Sequence, residues 1–242
     1  MELFLDFRPS AAGRTTQELE QARRLLGAYQ TALGHELPNQ LVVIQAFARM
    51  LQEQEAPRLS DEGRQLLGRL AATARRMDAL VRRLAEVGRL CREPPPGPGV
   101  SLEEVAREVF AEASWAVGGG TPIRYDLVNP LPAVPVTRRV LHHVLAELIR
   151  NAAQAVVPGR PPRVEVGGER TPDGCSFWVR DNGPGLSEGA AAQLFDPFTG
   201  KGAGAGLGLF LVRQLVAHWG GALRVRSEPG VGTTFTLFVP RP

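Results

Sequence analysis

The sequence predicts an α+β chain in which a long N-terminal helical hairpin, able to pair into a dimeric four-helix bundle, precedes a two-layer α/β sandwich. Three observations carry this. Between residues 15 and 92 the apolar side chains recur at helical and then heptad spacing. Glu93-Pro94-Pro95-Pro96-Gly97-Pro98-Gly99 has no apolar content and cannot continue a helix, so it reads as a linker. Beyond it, amphipathic helices are segregated from short strands that are mostly antiparallel, which is the pattern of a sandwich. The expected divisions are an N-terminal segment 1–14, a helical hairpin 15–92, the linker 93–99 and a second domain 100–242.

Taken in order, Met1–Gly13 mixes Leu3, Phe4, Leu5 and Phe7 with a Pro-Ser-Ala-Ala-Gly tail, and fits either a docked strand or the stub of an absent input domain. Thr15-Thr16-Gln17-Glu18 is a capping box that opens a helix to about Glu55. Its apolar residues are Leu19, Ala22, Leu26, Tyr29 and Leu33, then Leu37, Leu41, Ile44, Ala48 and Leu51. The step Leu33–Leu37–Leu41 breaks the alternating spacing and leaves His35 off the buried stripe. Pro38 removes a helical hydrogen bond and pushes its ring at the carbonyl of Gly34, which predicts a bend at His35. Ala56-Pro57-Arg58-Leu59-Ser60 ends this helix, and Ser60 caps a second one reaching about Arg92. There Leu70, Met77, Leu84 and Cys91 recur every seven residues, with Leu66, Thr73, Leu80 and Val87 between them. One hairpin cannot cover both of its apolar stripes, so a homodimer is expected, with a monomeric hairpin packed on the downstream domain as the alternative.

In the second domain, Ser101-Leu102-Glu103-Glu104 caps a helix to about Val117, which ends in a Gly118-Gly119-Gly120 turn. Ile123–Val128 reads as a strand, and Thr137–Val157 as a helix with Val140, Val144, Leu145, Leu148 and Ala152 inward. Strands Arg163–Glu169 and Cys175–Arg180 flank the turn Thr171-Pro172-Asp173-Gly174. A helix from about Gly206 to Trp219 and strands Ala222–Ser227 and Thr233–Val239 complete the chain.

Composition narrows the function. A chain of 242 residues fits one large domain or two small ones. The net charge of +3 comes from 28 basic and 25 acidic residues that are interspersed, so no nucleic-acid partner is inferred. Cys91 and Cys175 lack metal or redox spacing, which fits reduced thiols in a cytoplasmic protein. No apolar run approaches the roughly 18 residues of a membrane span, and Glu2 and Asp6 oppose a signal peptide. A soluble protein is expected.

The candidate chemistry begins at Gly34-His35-Glu36-Leu37-Pro38-Asn39-Gln40-Leu41. A neutral imidazole near pH 7 is a usable nucleophile once a neighbour accepts its other ring proton. Glu36 is the adjacent carboxylate, and Asn39 lies one turn on, where an amide can orient a water or a phosphoryl oxygen. A lone histidine beside a glutamate on a helix is usually solvated surface, and what raises it above that is the second domain. There Glu147-Leu148-Ile149-Arg150-Asn151-Ala152 places Glu147 and Asn151 on one helix face, a carboxylate and an amide oxygen suited to Mg²⁺. Asp181-Asn182-Gly183-Pro184-Gly185 forms a tight turn whose carboxylate can accept from an amino group such as that of adenine. Leu194-Phe195-Asp196-Pro197-Phe198 follows, then Gly200-Lys201-Gly202-Ala203-Gly204-Ala205-Gly206-Leu207-Gly208, whose backbone amides can approach phosphate ahead of a helix N-terminus. Each motif alone has a bland reading as solvated helix face, turn or linker.

In this order and spacing the four motifs resemble the N, G1, F and G2 boxes of the ATP-binding domain of sensor histidine kinases. Gly230-Val231-Gly232-Thr233-Thr234-Phe235 is also typical, and the His35 stretch resembles that family's phosphoacceptor box. The resemblance runs from about Thr15 to Pro242. It implies ATP and Mg²⁺ as cofactors, a homodimer, and a response-regulator receiver domain as partner. It implies Mg²⁺ on Asn151, and less firmly on Glu147, with adenine on Asp181 and a pocket wall of Gly183 and Gly185. Lys201, Gly204, Gly206, Leu207 and Gly208 would hold the phosphates. His35 would be phosphorylated with Glu36 as base, and Asn39 would serve dephosphorylation of the regulator. Gln40 stands where the family often has proline, Pro38 comes early, and Glu147 stands where many members have asparagine. Related gyrase, Hsp90 and MutL-like proteins have glutamate there to activate water, so an ATPase acting as a conformational machine is one alternative and a non-catalytic dimeric scaffold another.

Overall fold

The computed structural model describes residues 3–7, 32–90, 99–116, 122–128, 131–197, 199 and 206–241. These residues form two compact units, one of residues 32–89 and one of residues 3–7 together with the described residues from 90 onward. The Thr15 capping box, Cys91, the Pro-rich linker to Pro98 and the Gly118–Gly120 turn lie outside the described residues.

In the first unit a π-helical turn, Ala32–Glu36, leads into helix α1, Leu37–Gln54. The bend expected at His35 is therefore a change of helix type. Pro38 has no N–H to return to Gly34, and a wider turn avoids that demand; a fresh α-helical start at Leu37 places Pro38 in the first turn, where its missing donor costs nothing. A 3₁₀ turn, Ala56–Arg58, closed by Arg58 N–H to the Glu55 carbonyl at 2.9 Å, joins α1 to α2, Asp61–Leu90. Ser60 caps α2 as expected, its Oγ accepting from Gly63 N–H at 3.1 Å.

The apolar residues of this unit divide into two sets. Leu41 and Ala48 of α1 and Ala71, Ala74 and Val81 of α2 are buried. Leu37, Ile44, Phe47 and Leu51 of α1, and Leu66, Leu70 and Met77 of α2, are exposed. Leu37, Ile44 and Leu51 are spaced by sevens, as are Leu70 and Met77. The seam read at Leu70 and Met77 is therefore not the one that the single chain buries.

The second unit is a six-stranded sheet in the order β1-β7-β8-β6-β5-β3, formed by β1 Leu3–Phe7, β3 Arg124–Val128, β5 Arg163–Thr171, β6 Gly174–Asp181, β7 Ala222–Glu228 and β8 Gly232–Pro240. Only β3 and β5 are parallel; every other pairing is antiparallel. A second, two-stranded sheet pairs β2, Val100–Ser101, with β4, Ala133–Val134. Helices α3, Leu102–Ala116, α4, Arg138–Gln154, and α6, Gly208–His218, form the other layer, with α4 packed on α3, α6, β5 and β6. A short α5, Glu188–Ala192, is capped by Ser187, whose Oγ accepts from Ala190 N–H.

Alternation explains the sheet. Phe177, Val179 and Asp181 of β6, Leu223, Val225 and Ser227 of β7, and Thr233, Phe235 and Leu237 of β8 are buried, while Arg180, Arg224 and Arg226 between them are exposed. The open question at the N-terminus is answered as a docked strand, with Leu3 opposite Ser227 and Phe7 opposite Leu223.

The five α4 residues expected inward are all buried, joined by Leu141 and Ile149, because α4 has neighbours on more than one side. Its expected end at Val157 is corrected to Gln154, since Ala155 has left the helical region (ψ 60°) and Pro158 disfavours helix before it. The expected start at Gly206 is corrected to Gly208, because Gly206 has a φ of +64°. The two-residue strands β2 and β4 and the five-residue α5 were not anticipated; none is long enough to show a period.

Candidate functional site

In the helical unit, His35 and Glu36 close the π turn, and Asn39 lies in the first turn of α1. All three are exposed, and Glu36 makes no side-chain cap for α1. A nucleophile that must meet a second macromolecule needs that exposure.

The other candidate residues gather in the second unit where the ends of α4, β6 and β8 meet the start of α6. Asp181 closes β6 and is only 8% exposed. Its Oδ1 accepts from Gly183 N–H at 2.8 Å and Thr233 N–H at 3.2 Å. Burial pushes its carboxyl above the ordinary value of 3.8, and the backbone N–H bonds pull the other way. Gly183 is required by close approach, since a Cβ there would lie 2.7 Å from the Ala155 Cβ and 2.8 Å from Asp181 Oδ1. Gly185 adopts a φ of +69°, the left-handed region that favours glycine.

This turn is held from both sides by residues that carried no sequence signal. Arg160 donates to the carbonyls of Asn182 (2.8 Å) and Gly230 (2.8 Å). The Asn182 amide accepts from Arg163 N–H and donates to the Pro161 carbonyl. Ser227 Oγ accepts from Leu186 N–H at 2.9 Å and lies 3.0 Å from Thr233 Oγ1. Nothing local in Val157-Pro158-Gly159-Arg160 shows that Arg160 will bridge two turns, 22 and 70 residues further along the chain.

On α4, Asn151 and Glu147 share a face one turn apart. The Nδ2 of Asn151 is buried without a hydrogen-bond partner. Glu147 is 5% exposed and ion-paired with Arg150. A Cβ at Gly208, the first residue of α6, would collide with Glu147 Oε2. Leu207 is buried, and Phe195 is buried beneath the Arg213 guanidinium, 5.9 Å from the ring centre, which ties Phe195 to α6; Phe198 lies outside the described residues. Lys201 and Gly204 lie outside the described residues.

Two family models match the chain: the His Kinase A (phospho-acceptor) domain over residues 25–91, and the histidine kinase-, DNA gyrase B- and HSP90-like ATPase over residues 137–242. The chain belongs to the histidine kinases. It is 32% identical to the C4-dicarboxylate transport sensor protein DctS of Rhodobacter capsulatus, over 90% of this chain and 34% of that protein. It is 28% identical to the sensory histidine kinase/phosphatase NtrB of Rhodobacter capsulatus, over 94% of this chain and 65% of that protein. The full-length structure of ShkA in complex with AMPPNP superposes with a TM-score of 0.65 at 28% identity, covering 88% of this chain and 46% of that one. The chain thus spans about a third of the first relative's length.

Within this histidine kinase core, no described helix is long and apolar enough to cross a membrane. The buried Cys175 thiol is pushed up to about 11 by burial, so it is a packing group rather than a reactive thiol.

Proposed function

We propose that this chain binds ATP in its second unit and uses it to phosphorylate its own His35, then passes the phosphoryl group to an aspartate of a response regulator. The observation that carries this reading is the convergence at one place of Asp181, Gly183, Asn151 and the first turn of α6, in a chain that also presents an exposed histidine at the matching phosphoacceptor position. Asp181 would accept from the adenine amino group, with Gly183 and Gly185 as the pocket wall. Asn151 would hold Mg²⁺ through its amide oxygen, and the ion would supply charge neutralisation at the phosphates. Lys201, Gly204, Gly206, Leu207 and Gly208 would surround the phosphates.

In the transfer, a ring nitrogen of His35 forms a bond to the γ-phosphorus as the bond to the ADP oxygen breaks, and Glu36 accepts the proton on the other ring nitrogen. Because little covalent chemistry is asked of the protein, positioning supplies most of the rate. The hairpin 15–92 would be the phosphotransfer and dimerisation domain and residues 100–242 the ATP-binding domain, with a homodimer formed on the exposed stripes of α1 and α2. That the relative NtrB is a histidine kinase/phosphatase supports a second role for the same face, dephosphorylation of the regulator with Asn39 orienting water. Because ATP and a receiver domain are cytoplasmic, these events would take place in the cytoplasm.

The test is incubation with γ-labelled ATP and Mg²⁺. Label should be lost in acid and survive base, as phosphohistidine does. The His35→Gln variant should bind ATP as tightly as wild type and take up no label; undiminished labelling in that variant would end the proposal.

A further inference from the structure

The Asp181 carboxylate is aimed by main-chain groups. Its Oδ1 takes two backbone donors, Gly183 N–H at 2.8 Å and Thr233 N–H at 3.2 Å, which leaves Oδ2 for a ligand. Both donors lead back to Arg160. The Gly183 N–H belongs to the same planar peptide unit as the Asn182 carbonyl, and Arg160 Nη1 donates to that carbonyl at 2.8 Å and to the Gly183 carbonyl at 3.4 Å. Thr233 follows the turn between β7 and β8, whose Gly230 carbonyl accepts from Arg160 Nη2 at 2.8 Å and whose Gly230 N–H donates to the Pro184 carbonyl at 2.7 Å. The two turns are also pressed together. A Cβ at Gly185 would lie 2.2 Å from the Glu228 carbonyl oxygen, and one at Gly232 would lie 2.1 Å from that of Asp181. Among the described residues Arg160 has no carboxylate partner, and its three hydrogen bonds all go to carbonyls of these two turns.

We propose that Arg160 is a positioning residue that sets base selectivity, locking the two turns whose N–H groups fix Asp181 so that Oδ2 meets the amino group of adenine. The inference rests on the ATP-binding reading above and names a residue, outside every motif of that site, on which its choice of base depends. Arg160 acts through geometry. A planar fork can hold carbonyls on both turns at once, whereas the single nitrogen of a lysine cannot span them. A carboxylate left to swivel would still accept a hydrogen bond, but from water as readily as from a base, and a base with a carbonyl in place of the amino group would then be rejected less strongly.

The experiment compares ATP with ITP by calorimetry in the presence of Mg²⁺. ITP carries a carbonyl where adenine has its amino group and is the same in sugar, phosphates and bound metal, so contributions from those parts cancel in the ratio of the two affinities. Wild type should prefer ATP by on the order of a hundredfold. Arg160→Met should weaken ATP by about tenfold and ITP by no more than about twofold, so that the preference shrinks. Arg160→Lys, which keeps the charge and loses the fork, should shrink it as far. In an Asp181→Asn background, where the carboxylate is already gone, adding Arg160→Met should change the ratio by less than about twofold. An unchanged ratio in Arg160→Met would overturn the proposal, as would ATP and ITP weakening by the same factor, which is what general loosening of the domain or a direct contact with phosphate would give. A wild-type ratio in Arg160→Lys would assign the effect to charge alone, and a further change in the Asp181→Asn background would mean that Arg160 does not act through Asp181; either result overturns it too. If Arg160→Met does not fold, Arg160→Lys carries the same comparison. Wild type binding neither nucleotide would count against the ATP-binding reading, and wild type binding both equally against adenine on Asp181, and each would take this proposal with it.

Discussion

Asp181 pairs a recognition role with a cost to the fold. Its carboxyl is raised above 3.8 by burial. Above the raised value the ionised form is held in a poorly solvated place, and that cost is fully present at neutral pH. As pH falls through the folded value toward 3.8, the native state takes up a proton before the unfolded chain does, and the cost is relieved. Asp181→Asn keeps an oxygen for the Gly183 and Thr233 N–H groups but removes the charge. The nucleotide-free variant should therefore melt at or above the wild-type temperature at pH 7, with the difference closing toward pH 4, as read by calorimetric scans. The same change turns an acceptor into a donor facing an amino group, so ATP affinity should fall by roughly ten- to a hundredfold. At position 39 the argument is geometric. Asn39 lies in the fresh α-helical turn just after the π turn that carries His35, exposed as a water-orienting amide must be. Asn39→Ala should keep self-labelling and slow dephosphorylation of a bound regulator by about a hundredfold, followed as the decay of labelled regulator. Equal decay with both proteins would remove Asn39 from the role.

Among the elements, the hairpin makes the sharpest claim. Its buried positions are Leu41, Ala48, Ala71, Ala74 and Val81, while Leu37, Ile44, Leu51, Leu66, Leu70 and Met77 are left exposed. Leu70 is 50% exposed and Met77 49% exposed in the single chain. Aspartates at both positions should thus cost the hairpin itself little, while placing charges in an interface that a second copy would desolvate. Light scattering should show monomers, and the helical circular dichroism should stay within about a tenth of wild type. A dimer that persists would place the interface elsewhere.

For the whole molecule, β1 is the edge strand that ties the beginning of the chain to β7 of the ATP-binding unit, more than 200 residues away in sequence. The strand contributes half-buried Leu3 and Leu5, a cation–π contact between Arg226 and Phe4 at 5.8 Å, and an ion pair from Arg224 to Asp6 at 3.3 Å. The ion pair is exposed and worth little, so most of the strand's value is apolar burial. Protein lacking residues 1–10 should still unfold cooperatively but lose about 1–3 kcal/mol, on the scale of two partly buried leucines. Amide exchange should speed up along Leu223–Ser227 and stay slow in β6. Unchanged stability and exchange would show that β1 adds nothing to the sheet.

The α+β division, the buried face of α4, the strands β5 to β8 and the order of the nucleotide motifs were all legible in the sequence, because each rests on short-range periodicity or on residues that a turn or cap requires locally. That Pro38 would disturb the helix at His35 was legible for the same reason, but that the disturbance would be a π turn over Ala32–Glu36 was not. Other features needed the tertiary structure. Whether residues 3–7 dock was left open by their own pattern, because pairing is decided by the free edge of β7. Which heptad stripe the single hairpin buries could not be read from spacing, because both stripes have helical spacing. Arg160 and Ser227 hold the Asp181 turn from distant points of the chain. Glu147 has the spacing of a metal ligand along α4, but only the packing of α6 against α4 sets its carboxylate beside Gly208, since no local pattern records which residues from separate elements will share one buried charge.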